Sequence, residues 1–94
     1  MRVYVTGDKS DADRVKMICR VLQKKEKENS FICPFSTFSH LLDYDLSCEE
    51  LLECRLDWLS ASDKLIVVSR QSSEVQKEME FALMVGMEVE HIEP

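Results

Sequence analysis

A chain of 94 residues with a net charge of −6 has room for one hydrophobic core and not for two, so residues 1–94 are expected to form a single domain. Its apolar share of 45% is ordinary for a globular protein, and no segment approaches the ~20 apolar residues that a membrane span needs. The acidic balance excludes gripping nucleic acid through a broad basic surface, but a small anion held by a few backbone N–H groups remains open.

The first element is "RVYVT", residues 2–6, whose β-branched and aromatic side chains predict a strand ending at Gly7. The N-terminus runs straight into this strand without the apolar stretch of a signal peptide, so a cytoplasmic protein is expected. Ser10, with Asp13 three residues on, predicts a helix start, and Ala12, Val15, Ile18, Cys19 and Leu22 form its apolar face. The run "KKEKEN" from Lys24 alternates in sign and reads as a solvated helix end. "SFIC", residues 30–33, predicts a second strand closed by Pro34.

Residues 34–46, "PFSTFSHLLDYDL", have no clean period. Such a connection is where α/β proteins often place substrate contacts. With Phe35, Phe38, Leu41, Leu42 and Tyr44 it could equally be a lid or an apolar contact surface. Ser47 and Glu50 make a capping box that predicts a helix from Cys48 to Ala61. "DKLIVVS", residues 63–69, is apolar on both faces, as a buried parallel strand must be. A last helix follows with Ser72 or Ser73 as its N-cap and Gly86 past its end, and "MEVEHI" predicts a fourth strand.

The order βαβαβαβ predicts a three-layer α/β sandwich around a four-stranded parallel sheet. The expected strand order is 2-1-3-4, by analogy with flavodoxin-like and Rossmann-like folds. Ligands in such sheets bind beyond the strands' carboxyl ends where the strand order reverses. That brings Gly7 and Asp8 of "TGD", the "PFSTF" segment after the second strand and the "SRQSS" loop around one crevice.

The four cysteines contain no C-x-x-C, and His40 and His91 are far apart. Buried, reduced thiols are the expectation, with no metal and no cofactor. Three other residues stand out. Glu78 is flanked one turn away by Val75, Phe81 and Ala82, which makes it a solvated flank residue or a tuned carboxylate at the crevice. Arg55 has Leu51, Leu52, Trp58 and Leu59 three and four residues away, in the centre of an apolar face. It either threads its stem out to solvent or reaches Glu78 or an anion. Tyr4 lies mid-strand, and its hydroxyl needs a partner, either backbone or Glu78. Ser72 and Ser73 stand where a helix N-terminus favours anions, although serine is also a common N-cap.

Together these segments resemble the nucleoside 2-deoxyribosyltransferase-like family. "VYVTG" is similar to its first strand and turn, "LDWLSASDKLIVV" to its helix-to-strand segment, and "EMEFALMVG" to its E-x-x-x-A helix. Ser72 matches the serine of its S-x-G loop. The resemblance implies that Glu78 is the nucleophile that attacks the anomeric carbon of a 2-deoxyribosyl group, with Tyr4 orienting it. It further implies that Gly7, Asp8, Asp63, Ser72 and Ser73 contact a nucleoside or nucleotide, and that the chain forms a homodimer.

Two departures accompany the resemblance. Arg55 stands where catalytically complete members carry an acidic residue, and Glu74 stands in place of the S-x-G glycine. An Arg55–Glu78 pair would reduce the nucleophilicity of Glu78, and no second carboxylate is placed to protonate a leaving base. The expected function is therefore an N-glycosidase or deoxyribosyltransferase, with a non-catalytic nucleotide-binding or protein-interaction domain of the same fold as the alternative.

Overall fold

The computed structural model describes residues 1–37 and 48–92. The expected lid residues Phe38, Leu41, Leu42 and Tyr44 lie outside them, as do His40 and Ser47. In chain order the elements are β1 (Arg2–Thr6), a 3-10 turn (Lys9–Asp11), α1 (Ala12–Lys25), β2 (Ser30–Ile32) and α2 (Pro34–Thr37). They continue with α3 (Cys48–Ser60), β3 (Lys64–Val67), α4 (Ser73–Met84) and β4 (Glu88–His91). The strands form one parallel sheet in the order β2-β1-β3-β4, so the order reverses between β1 and β3.

Two apolar layers follow from the alternation along the strands. Val3, Val5, Ile66 and Val68 face one way and pack with Val15, Ala12, Ile18, Cys19 and Leu22 of α1 and with Phe35 of α2. Tyr4, Leu65 and Val67 face the other way and pack with Leu59 and Leu56 of α3 and Val75, Met79 and Ala82 of α4. The helices thus cover both faces of the sheet, and β1 and β3 are buried on both sides.

Some boundaries differ from the expectation for identifiable reasons. Pro34 closes β2 and then opens α2, because its fixed φ suits the first position of a helix. The turn after Gly7 winds into the 3-10 segment, so Asp11, not Ser10, precedes α1, and its side chain makes no capping bond. At the end of α4, Met87 N–H donates to the Ala82 carbonyl and Gly86 N–H to that of Leu83, with Gly86 at φ +76°. This is a Schellman cap, which needs the left-handed conformation that glycine tolerates. No helix among the described residues is long and apolar enough to cross a membrane.

Candidate functional site

Tyr4 and Thr6 are two residues apart on β1 and therefore project from the same face, toward α3 and α4. Glu78, in the second turn of α4, comes down onto that face at the carboxyl end of β1. It is completely buried, deeper than a flank position implies. The Thr6 hydroxyl donates to Glu78 Oε1 at 2.6 Å. Arg55 comes in from α3: its Nη2 donates to Glu78 Oε1 at 2.8 Å and its Nε to Oε2 at 3.2 Å. The same Nη2 also donates to the Thr6 hydroxyl at 2.9 Å, which closes a triangle of donors and acceptors.

This answers why a guanidinium sits amid leucines. Its charge is matched by a carboxylate with both oxygens held, the arrangement a buried pair requires. The Arg55 side chain is only 12% exposed, and the Phe35 ring lies 5.7 Å from its guanidinium carbon. Burial works against the Arg55 charge, but the Glu78 carboxylate beside it outweighs that cost, so Arg55 holds its proton more firmly than usual. The Tyr4 hydroxyl is buried beside the pair, close enough to both Glu78 and Arg55 to feel their charges. Burial first, and then the negative charge of Glu78, push its pKa well up, with Arg55 opposing.

A second cluster joins the β1–α1 turn to the start of α4. The Asp8 carboxylate accepts from Ser72 N–H at 2.7 Å and from Gln71 N–H at 3.1 Å, while Asp8 N–H donates to the Ser69 hydroxyl at 2.8 Å. Burial alone would raise the Asp8 pKa. The Ser72 and Gln71 amides, helped by the Ser72 and Ser69 hydroxyls, outweigh it and hold the carboxyl below its usual range.

The expected ligand contacts are therefore redistributed. The Ser72 and Gln71 amides hold Asp8, and the Ser72 hydroxyl caps α4 by accepting from Val75 N–H at 3.3 Å. Ser73 is exposed and turned toward Glu74. Gly7 serves close packing, since a Cβ there would lie 2.6 Å from Val15 Cγ2 and 3.0 Å from Ser69 Oγ. Asp63 is not part of the cluster. It opens β3 at the amino end of the sheet, roughly 13 Å of strand away at 3.3 Å per residue, and its carboxylate accepts from Arg2 N–H at 2.9 Å.

Two participants were missed in the sequence. Thr6 shares the parity of Tyr4, so the alternation of β1 points to it. Ser69, just beyond β3, carries no such signal. Among the described residues, no group of three or more His, Cys, Asp or Glu side chains could hold a metal ion. Compared with family models, curated proteins and solved structures, the chain matches none.

Proposed function

We propose that this domain binds a nucleoside-type small molecule at the β1/β3 reversal point and leaves the ligand's glycosidic bond intact. The observation that carries the second half is the state of Glu78. A nucleophilic carboxylate needs an oxygen free to approach the anomeric carbon at near contact. Both oxygens of Glu78 are held by Arg55 and Thr6, and none of its surface is open to solvent. The ligand class rests on the likeness of "VYVTG" and "EMEFALMVG" to the deoxyribosyltransferase-like pattern. A homodimer in the cytoplasm belongs to the same proposal, and the mass of the 10.9 kDa chain in solution tests the dimer.

A second reading, N-glycosidase or deoxyribosyltransferase activity, is favoured by one observation: Tyr4 and Glu78 are buried against the same face of the sheet, close enough for the charge of Glu78 to act on the phenol. In that reading Arg55 would have to release Glu78 when substrate binds.

Thermal unfolding with a panel of 2'-deoxynucleosides and their 5'-monophosphates tests the binding. A true ligand at 100 times its Kd stabilises the fold by about 2.7 kcal/mol. No stabilisation by any member of the panel would contradict the proposal.

A further inference from the structure

Beyond the carboxyl ends of β3 and β4 lies a cavity of about 310 Å³ that the Glu78 cluster does not use. Three separate segments bring polar groups to it: Asp11 and Arg14 around the start of α1, Ser69, Arg70 and Gln71 after β3, and His91 at the end of β4. Among the described residues, the side chains of Arg14, Arg70 and His91 take part in no ion pair or hydrogen bond. Two arginines thus line one small cavity in a chain of net charge −6, and among the described residues Asp11 is the only carboxylate residue on its wall.

We propose that this cavity receives the phosphoryl group of a small phosphorylated molecule, with Arg14 and Arg70 as its ligands and His91 on the cavity wall. Two lines of chemistry favour this. The Gln71 and Ser72 amides just ahead of α4 are occupied by the chain's own Asp8, and the arginines line the cavity next to them. A carboxylate is satisfied by a single planar fork. Two forks from different segments suit a tetrahedral group with three oxygens. The volume lies at the small end for ligand cavities, which fits a phosphate with a compact body and excludes a dinucleotide. The inference is independent of the nucleoside reading, because it concerns the phosphate whichever molecule carries it.

Amide chemical shifts of the whole chain, titrated separately with inorganic phosphate, a 2'-deoxynucleoside and its 5'-monophosphate, test it. Saturable shifts at Ser69–Gln71 and His91 with both phosphate-bearing probes, weakened at least tenfold in Arg14→Gln/Arg70→Gln, would support a site for free phosphate. The same result with the monophosphate alone would support a site that also needs the organic part. Both arginines are at least partly exposed, so the double variant is expected to keep the wild-type spectrum elsewhere. Shifts that survive the double substitution, or no shifts with either phosphate-bearing probe, would overturn the inference. Binding of the nucleoside alone would also overturn it, while leaving the proposed function standing.

Discussion

At the scale of single residues, two buried carboxylates divide the labour at the carboxyl ends of the strands. Glu78 neutralises Arg55 inside the α3–α4 layer, and Asp8 ties the β1–α1 turn to the start of α4. Removing one member of a buried pair strands the other's charge, whereas removing both does not. Arg55→Leu is therefore expected to cost about 3 kcal/mol in urea unfolding, with most of that recovered in Arg55→Leu/Glu78→Leu. Equal and additive losses would mean that the pair does not act as a unit.

Asp8 makes a prediction with a definite sign. Its folded pKa is depressed, so its contribution is complete above the unfolded value of about 3.9 and fades as pH falls through the lower folded value. The stability gap between wild type and Asp8→Asn should be of the order of 1–3 kcal/mol at neutral pH and shrink on acidification below pH 4. A gap that stays constant down to pH 2 would contradict this role.

The elements were largely legible in the sequence, and the site only in part. Helical spacing gave the α1 face through Val15, Ile18, Cys19 and Leu22, and two-sided apolarity marked β3 as central. Periodicity tells which face a residue occupies and not how deep it lies, which is why Glu78 read as a flank residue although it is fully buried. Asp63 read as a site residue because its position in a motif says nothing of which end of the sheet it occupies. Asp8 could not be paired with Ser72 from sequence, since that contact spans 64 positions and forms only once β1 and β3 lie side by side.

Two glycines give tests at this scale. At Gly86 a methyl would meet nothing, so Gly86→Ala should cost only the left-handed backbone penalty, roughly 1–2 kcal/mol. At Gly7 a methyl would collide with Val15 and crowd Ser69, and Gly7→Ala should cost about 1–3 kcal/mol through overpacking. Both are read by chemical unfolding. If Gly7→Ala were neutral, the close approach of the β1–α1 turn to α1 would be refuted.

For the whole molecule, the fold brings Glu78, Arg55, Thr6 and Asp8 to the reversal point and engages each with other groups of the chain. Glu78, Arg55 and Thr6 hydrogen-bond to one another, and Asp8 holds the Gln71 and Ser72 amides just ahead of α4. On the proposed reading, a carboxylate held on both oxygens is poorly placed to attack a ligand. The most direct test is chromatography of 2'-deoxynucleosides and their 5'-monophosphates after prolonged incubation with the protein at concentrations that saturate binding. The account predicts that the bound ligand is recovered intact. Free base that accumulates with wild type and not with Glu78→Gln would contradict it.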